Sequence, residues 1–456
     1  NHRCCRQNYM RAMLLEDWVS LMLSDVSCPK CDKKITGFAI DSQQVQPGDL
    51  FFALPGNATD GHQFLKHAAT AGAVAAVVSH DYQGDSFGLE LIRVDDTKSA
   101  LQEAGSNQCN LFQGTLVGIT GSVGKTTTKE FSKTILSSIY KTHASPKSYN
   151  SQLTVPLSLL MAEGDEDVMI LEMGVSEPGN MQDLLRIVQP EIAVITHIND
   201  QHAMHFPQGI QEILKEKSYI LQKSKLQLLP KDSPYYLDLR SCSPTAEKFS
   251  FSFNDPLADF CYKAISGDSV VIQTPEENYC LPIAFSYKPA YTNLLIAVAL
   301  SWILEVPEEG VIRSLPELKL PPMRFEHSMR NGMQVINDAY NACPEAMIAA
   351  LDALPLPSDG GKIILILGHM AELGRYSEEG HALVAEKAAS RGDMIFFIGE
   401  KWIPVQSVLK SYSCEVSFFS SAQDVKDILK QVARYGDVIL LKGSRALALE
   451  SLLACF

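Results

Sequence analysis

The hydrophobic positions of the 456-residue chain follow two patterns that alternate along its length. Short, nearly continuous apolar runs such as DLFFALP, DVMILEMG, EIAVITHIN and KIILILG are typical of strands that are buried on both faces of a parallel sheet. Between them lie stretches whose apolar residues recur with helical periodicity. The pattern therefore predicts an α/β fold. Because a chain of this length is too long for one hydrophobic core, we also predict several domains.

The order of these runs predicts three domains. Residues 1–113 combine short strands with a helical stretch at 61–72, which indicates a small α/β module. Residues 114–315 begin with a strand, a glycine-rich loop and a helix, which predicts a central domain with a mainly parallel sheet. Residues 316–456 begin with a proline-rich linker and continue as a doubly wound, Rossmann-like domain. The first nine residues have no obvious place in a fold, and we expect them to be an extension.

Finer predictions concern the second and third domains. Alternating stretches between residues 226 and 289, such as KFSFSF and DSVVIQT, predict an antiparallel insertion or flank. A long apolar helix, YTNLLIAVALSWILEV, follows them. In the third domain the strands alternate with predicted helices that begin near Pro344, Ser377, Ala422 and Ser444.

The composition disfavours some classes of function. A formal net charge of -14 argues against a surface that attracts nucleic acid or anionic lipid. No run of about 18 apolar residues is present, and Glu16 and Asp17 interrupt the apolar segment near the N-terminus. The 11 cysteines are scattered, as expected for reduced thiols, and the lone CxxC at Cys28 and Cys31 indicates a surface turn better than a zinc site. We expect a cytoplasmic protein without membrane insertion.

The stretch GITGSVGKTTTKE, residues 118–130, joins a predicted buried strand to a predicted helix. In such a turn, backbone N–H groups and the positive end of the helix converge on an anion, and Lys125 adds a mobile charge. The hydroxyl of Thr126 can ligate Mg²⁺. The spacing departs from the general phosphate loop, G-x-x-x-x-G-K-[ST], because Ile119 stands where the first glycine is expected. We interpret the stretch as a phosphate-binding loop of a different kind.

Candidate metal ligands follow the next two predicted strands. Glu172 lies at the end of MILEMG, and Asp200, His202 and His205 follow VITHIN. Because the carboxyl ends of parallel strands lie at one edge of a sheet, these side chains are expected near the loop. Each residue alone is more often structural, but together with the loop they predict a Mg²⁺ site.

The loop also resembles that of a known family. TGSVGKTTTKE is similar to the TGxxGKT[ST] loop of the Mur ligases and folylpolyglutamate synthetases, ATP-dependent enzymes that join an amino acid or peptide to a carboxylate. In that family the two glycines are three residues apart, as they are here. The resemblance implies a catalytic role for Lys125 and ATP contacts for Gly121, Ser122, Val123, Gly124, Lys125, Thr126 and Thr127.

Two further stretches extend the resemblance. AIDSQQVQPGDLFFALPGNATDGHQFLKHAATAGAVAAVV is similar to the UDP-sugar-binding module of the peptide-adding Mur ligases, which implies that Ser42 contacts the UDP substrate. Gln43 stands where the family usually has arginine. SYNSQLTVPLSLL is similar to the family's N-x-x-G-x-P segment, which implies substrate contacts for Asn150 and Ser151, with Thr154 in place of glycine.

The resemblance implies a set of metal ligands. The family's metal-binding histidine falls on His202, and KEKSYIL resembles the helix that carries an N-carboxylated lysine, which falls on Lys217 rather than Lys215. A lysine carbamate is an anionic oxygen donor, whereas a free ammonium group is a poor Mg²⁺ ligand. Two Mg²⁺ ions are implied, one held by Thr126 and Glu172 and the other by His202 and carbamylated Lys217.

The C-terminal motifs resemble one branch of the family. VINDAYNACPEAM, LGHMAELGRYSEEGH and LLKGSRAL are similar to the DDxYNANPxSM, GDMxELGxxSxxxH and KGSR segments of the ligases that add D-alanyl-D-alanine to UDP-N-acetylmuramoyl-tripeptide. Asn337, Cys343 and His369 depart from these patterns. The register implies nucleotide contacts for Asn293, Arg324 and Asp338 and substrate contacts for Tyr340 and Asn341.

The reaction implied by the resemblance is the activation of a carboxylate. ATP phosphorylates the terminal carboxylate of the tripeptide, and the amine of D-Ala-D-Ala attacks the resulting acyl phosphate. Closure of the three domains is expected to assemble the site, and we expect a monomer. Three alternatives stay open: another ligase of the family, a P-loop kinase or regulatory NTPase, and an inactive scaffold that binds UDP-sugar precursors.

Overall fold

The structure of the chain, a computed structural model, describes residues 13–27, 31–56, 59–358 and 360–456. The extension expected at residues 1–9 lies outside these residues, and so does Cys28 of the CxxC stretch.

Three main sheets organise the described chain, and each is formed by strands from one of the three predicted domains. Most neighbouring strands in them are parallel, which confirms the predicted α/β fold class. The domain boundaries after residues 113 and 315 stay predictions. No helix of the described residues is long and apolar enough to span a bilayer.

The N-terminal sheet is small. Its four strands are parallel, in the order β3-β4-β5-β6, and a short antiparallel pair, β1-β2, precedes it. The predicted helical stretch at 61–72 is a 3-10 turn followed by α2, which ends at Gly72 with a φ of +104°. The elements are β1 (Met13–Leu14), α1 (Leu15–Met22), β2 (Lys34–Ile35), β3 (Gly37–Ala39), β4 (Asp49–Phe52), α2 (Leu65–Ala71), β5 (Ala75–Ser79), β6 (Glu90–Val94) and α3 (Thr97–Leu111).

The central sheet has nine strands, in the order β15-β14-β13-β12-β11-β10-β7-β9-β8. Strand β7 lies between β9 and β10 and is parallel to both, so the residues that follow these three strands meet at one edge. The elements are β7 (Thr115–Thr120), α4 (Lys125–Leu136), β8 (Thr142–Ala144), α5 (Thr154–Leu160), β9 (Val168–Glu172), α6 (Asn180–Ile187), β10 (Ile192–Ile195), α7 (Ile210–Ser218), β11 (Leu226–Pro230), α8 (Tyr236–Ser241), β12 (Glu247–Ser252), β13 (Phe260–Ile265), β14 (Val270–Gln273), β15 (Asn278–Leu281), α9 (Lys288–Ile303) and α10 (Glu308–Ser314).

The prediction of an antiparallel insertion between residues 226 and 289 is only partly right. Strands β11, β12 and β13 continue the parallel sheet, and only β14 and β15 are antiparallel. The sequence of β12, EKFSFS, alternates although the burial of its residues does not, since its first half is exposed or half-buried and its second half is buried. The alternation of polar and apolar residues therefore did not indicate the direction of the neighbouring strands.

Helix α9 packs against the phosphate loop and the helix that follows it. It is apolar on all sides and buried, and it begins three residues before the predicted start, with Pro289 in its first turn. It packs closely against α4, the helix that follows the loop. Asn293 on α9 is thereby placed beside the loop.

The C-terminal sheet has six strands, in the order β16-β17-β21-β18-β19-β20, of which only the edge strand β16 is antiparallel. The predicted helices at Pro344 and Ser377 are confirmed. The elements are β16 (Glu326–Arg330), β17 (Met333–Asp338), α11 (Pro344–Asp352), β18 (Ile363–Gly368), α12 (Ser377–Ala389), β19 (Met394–Ile398), α13 (Gln406–Leu409), β20 (Glu415–Phe419), α14 (Lys426–Val432) and β21 (Val438–Lys442).

Two predicted helix starts need correction. The helix expected near Ala422 begins as a 3-10 turn and becomes α-helical only at Lys426. The helix expected near Ser444 is replaced by two 3-10 segments, Arg445–Leu447 and Leu449–Cys455. Ala448 between them has a φ of +47°, a left-handed conformation that no α-helix accepts, and it separates the two segments.

Candidate active site

A cavity of ≈ 830 Å³ lies between the central and C-terminal sheets. One wall is formed by the loops after β7, β9 and β10 and by the first turns of α9. The opposite wall comes from the C-terminal segment and includes Arg324, Asp338, residues 340–343 and Lys442. The site is therefore shared between two sheets that are far apart in the sequence.

The loop after β7 requires glycine at both predicted positions. Gly121 has a φ of +145°, and a Cβ atom there would lie 2.0 Å from Thr196 Oγ1. Gly124 has a φ of +85°, and its Cβ atom would lie 2.7 Å from Asn293 Oδ1. Positive φ and close approach both exclude a side chain. The three-residue spacing that looked irregular is thus fixed by the neighbours of the loop.

Lys125 is the first residue of α4 and folds back over the loop. Its Nζ donates to the carbonyl oxygens of Gly121 and Ser122, at 2.8 and 3.2 Å. Burial lowers the pKa of Lys125; the carboxylate of Glu172 opposes this and the guanidinium of Arg324 adds to it. The ammonium group therefore lies inside the loop, where a phosphate would be cradled.

The structure brings Thr126 and Glu172 together, as predicted. Thr126 Oγ1 donates to Glu172 Oε2 at 2.8 Å, and Asn150 Nδ2 donates to Glu172 Oε1 at 2.8 Å. Glu172 is only 1% exposed, and its carboxylate accepts hydrogen bonds from these two neutral donors. A hydroxyl and a buried carboxylate are hard oxygen donors, so this pair fits one Mg²⁺ ion.

His202, the third predicted metal ligand, contacts the C-terminal segment. His202 has a φ of +67°, and its Nδ1 pairs with the carboxylate of Glu372 from the C-terminal segment. Burial lowers the pKa of His202 to about 4, and the neighbouring Lys125 and Lys217 act in the same direction, whereas Glu372 opposes them. The imidazole is therefore neutral, the form that binds metals. Its Nε2 is the nitrogen that faces away from this contact.

Lys217 lies on α7 beneath the loop and is 1% exposed. Its Nζ lies 3.4 Å from the carbonyl oxygen of Gly121. Burial, with the charge of Lys125, holds the pKa of Lys217 well below its usual range, although Glu216 opposes the shift. In the described part of the chain, no group of three or more His, Cys, Asp and Glu side chains could hold a metal ion.

Residues of the C-terminal segment reach across the cavity. Arg324 Nη2 donates to Thr126 Oγ1 at 2.9 Å, and its guanidinium lies 4.2 Å above the ring of Tyr340. Asp338 is buried and accepts from Lys442 Nζ at 2.7 Å, while Asn341 contributes a carbonyl oxygen to the same ammonium at 3.1 Å. Burial raises the pKa of Asp338, and Lys442 opposes the rise.

The remaining predicted residues fall into two groups. Asn293 and Ser151 line the cavity, and Asn293 Oδ1 accepts from Thr128 Oγ1 at 3.1 Å. Ser42 does not line this cavity and is buried in the N-terminal module. The module nevertheless reaches the edge of the site, because Tyr149 OH donates to Gln44 Oε1 at 2.9 Å.

Three charged residues of the site, Lys442, Glu345 and Glu372, were not assigned a role in the sequence analysis. Lys442 forms the buried pair with Asp338. Glu345, at the start of α11, accepts from Asn199 Nδ2, and Glu372 binds the loop that carries His202. Lys442 stands in the KGSR motif and could have been found there. Glu345 occupies a position that the family pattern leaves open, so nothing in the sequence marks it.

Comparison with known families assigns the class of protein. The model described as the Mur ligase family, catalytic domain, matches residues 34–108. The Mur ligase middle domain matches residues 119–301, and the Mur ligase, glutamate ligase domain, matches residues 323–445. Together with the relatives below, these matches show that the chain belongs to the Mur ligase family, which confirms the resemblance.

Two relatives and two solved structures come from one branch of the Mur ligase family. The UDP-N-acetylmuramoyl-tripeptide--D-alanyl-D-alanine ligase of Bacillus subtilis (strain 168) is 30% identical over 424 residues, which cover 92% of each chain. The protein of the same name from Treponema pallidum (strain Nichols) is 31% identical over 435 residues, covering 91% of this chain and 92% of its own. MurF from Acinetobacter baumannii shares the fold, with a TM-score of 0.81 at 24% identity and 98% coverage of both chains. The MurF ligase of Thermotoga maritima in complex with ADP has a TM-score of 0.74 at 26% identity, with 92% of this chain and 96% of that chain covered.

Proposed function

We propose that the chain is an ATP-dependent ligase that joins D-alanyl-D-alanine to UDP-N-acetylmuramoyl-tripeptide. The products are UDP-N-acetylmuramoyl-pentapeptide, ADP and phosphate, in a cytoplasmic step of peptidoglycan precursor synthesis. The names of the relatives support the substrates. The observation that carries the proposal is the hydrogen bond from Arg324 to Thr126, because it joins the C-terminal segment to the phosphate loop.

The chemistry suits the charges around the cavity. The γ-phosphoryl group of ATP passes to a carboxylate oxygen of the tripeptide, and ADP leaves. The amine nitrogen of D-Ala-D-Ala then attacks the carbonyl carbon, phosphate leaves, and the amine loses a proton. Two anions must meet in the first step, and Lys125 and Arg324 supply positive charge from the two walls. Walls from two sheets also exclude water, which would hydrolyse an acyl phosphate.

The metal ligands belong to the proposal. Thr126 and Glu172 would hold one Mg²⁺, and His202 with carbamylated Lys217 would hold a second. Bound Mg²⁺ would neutralise the charge that develops on the phosphates. The burial of Lys217 beside the loop supports this assignment, because burial favours the neutral amine, and a carbamate forms on a neutral amine and not on an ammonium group. We further propose that the enzyme acts as a monomer, because this one chain supplies both walls of the cavity.

One assay tests the function. The protein is incubated with ATP, Mg²⁺ and UDP-N-acetylmuramoyl-tripeptide, with and without D-Ala-D-Ala, and phosphate release is followed. We expect phosphate release only when both UDP-N-acetylmuramoyl-tripeptide and D-Ala-D-Ala are present. Acceptor-independent release would indicate an NTPase, and binding of the precursor without turnover would indicate a scaffold. Lys125→Ala should abolish turnover, whereas Lys133→Ala, an exposed lysine on the same helix, should not.

A further inference from the structure

The phosphate loop is tied to the segment that follows β10. Ser122 N donates to the carbonyl oxygen of His197 at 2.7 Å. Ser122 Oγ donates to the carbonyl oxygen of Asn199 at 3.2 Å, and Asn199 N approaches the same hydroxyl at 3.0 Å. Three hydrogen bonds therefore fix Ser122, which is 2% exposed, to residues 197–199. A shift of residues 197–199 is therefore expected to shift the phosphate loop as well.

The same segment is bound from the C-terminal wall by Glu345. Its Oε2 accepts from Asn199 Nδ2 at 2.8 Å and lies 3.0 Å from His197 Nε2. Partial burial would raise the pKa of Glu345, whose side chain is 58% exposed, but these two side chains outweigh it and lower the pKa. Glu345 is the second residue of α11, so its carboxylate is fixed to a helix of the C-terminal sheet. A continuous path of contacts then runs from α11 through Asn199 to Ser122.

We propose that Glu345 is a positioning residue that couples docking of the C-terminal wall to the conformation of the phosphate loop, through Asn199 and Ser122. The proposal rests on the proposed function, because it assigns the organised loop to the step that binds ATP. Glu345 contacts the side chains of Asn199 and His197 and is not assigned to the reacting atoms. Loss of its carboxylate leaves the glycines and Lys125 of the loop intact, but it frees residues 197–199 to move with the loop.

A charge exchange tests the contact. Glu345→Ala should lower kcat/KM for ATP several-fold, because a hydrogen bond to a partly exposed charged group is lost. Asn199→Asp should cost at least as much, since it places two carboxylates face to face. Combining Asn199→Asp with Glu345→Gln restores a donor and an acceptor with the roles exchanged, and should recover at least threefold of the loss. Glu379→Ala, an exposed glutamate in the first turn of α12, serves as the matched control and should stay within twofold of wild type.

A second measurement does not depend on ligase activity. Hydrogen exchange of the full chain without nucleotide reports the amides of residues 118–125 and 196–202. Glu345→Ala should accelerate their exchange several-fold and leave the amides of β18 unchanged. Unchanged exchange in both peptides, or no recovery in the exchanged pair, would overturn the coupling. If the wild-type enzyme shows no ligase turnover, the proposed function fails, but the exchange experiment still decides whether the contact positions the loop.

Discussion

His381, the second histidine of the LGHMAELGRYSEEGH segment, should make stability depend on pH. His381 is 0% exposed; its Nε2 accepts from Met370 N at 3.0 Å, and its Nδ1 donates to the carbonyl oxygen of Ser377 at 2.6 Å. The contact with Met370 requires the neutral ring, because a protonated Nε2 cannot accept a hydrogen bond, whereas Nδ1 donates to Ser377 in either form. Burial lowers the pKa of His381 to about 4, with His369 and Lys401 adding to the effect, while the bond to Ser377 opposes it.

The sign and size of the effect follow from linkage. The unfolded chain binds the proton near pH 6.5 and the folded chain only near pH 4, so stability is fully present above pH 6.5 and is lost as the pH falls towards 4. Between pH 7 and pH 5 this single group should cost about 2 kcal/mol. Replacement by glutamine, which can still accept from Met370 N but does not titrate, should remove this part of the pH dependence.

Urea unfolding at pH 7 and pH 5 measures the effect. Trp402 packs against His381 with ring centroids 4.5 Å apart, so its fluorescence reports the C-terminal segment when Trp18 and Trp302 are replaced by phenylalanine. We expect wild type to lose about 2 kcal/mol more than His381→Gln over this range. His80→Gln, with a side chain that is 61% exposed, is the control and should behave as wild type. Equal losses in wild type and His381→Gln would refute the reasoning.

Three further predictions concern the site. Lys217→Ala should remove most activity, with partial rescue by short carboxylic acids that replace the carbamate; Lys215→Ala on the same helix is exposed and should be silent, and undiminished turnover of Lys217→Ala would contradict the carbamate. Arg324→Lys should lower kcat/KM about tenfold or more, because lysine cannot both stack on Tyr340 and reach the loop; equal steady-state constants would contradict a role in assembly. Glu372→Ala should lower kcat about tenfold and increase the radius of gyration in solution scattering, since a contact across the cavity is lost; unchanged scattering and rate would argue that it is incidental.

Local sequence was sufficient where the chemistry is local. Continuous apolar runs predicted the parallel sheets, and the end of β9 placed Glu172 beside Thr126 because parallel strands finish at the same edge. The spacing of Gly121 and Gly124 agrees with their positive φ angles. These features follow from the periodicity and the backbone freedom of a few neighbouring residues.

Contacts between distant residues could not be predicted in the same way. Asp338 was expected to reach the nucleotide, and the structure shows that its carboxylate is occupied by Lys442, 104 positions away. His202 was expected at a metal site, and its Nδ1 is held by Glu372, 170 positions away. Lys442 and Glu372 both stand in segments that resemble the family's motifs, but neither the motifs nor the local pattern shows which distant residue they contact.

Two of the residues that depart from the family pattern, Cys343 and His369, have different neighbours in the structure. Cys343 lines the cavity and lies 4.0 Å from Asn199 Nδ2, so the exchange of asparagine for cysteine alters the wall of the binding site itself. His369 lies outside that wall and packs against Gly399, where a Cβ atom would lie 2.0 Å from the imidazole Nδ1. Gly399, which directly follows β19, therefore leaves room for the side chain of His369. Of these two substitutions, only the one at position 343 lines the cavity and can contact a ligand there.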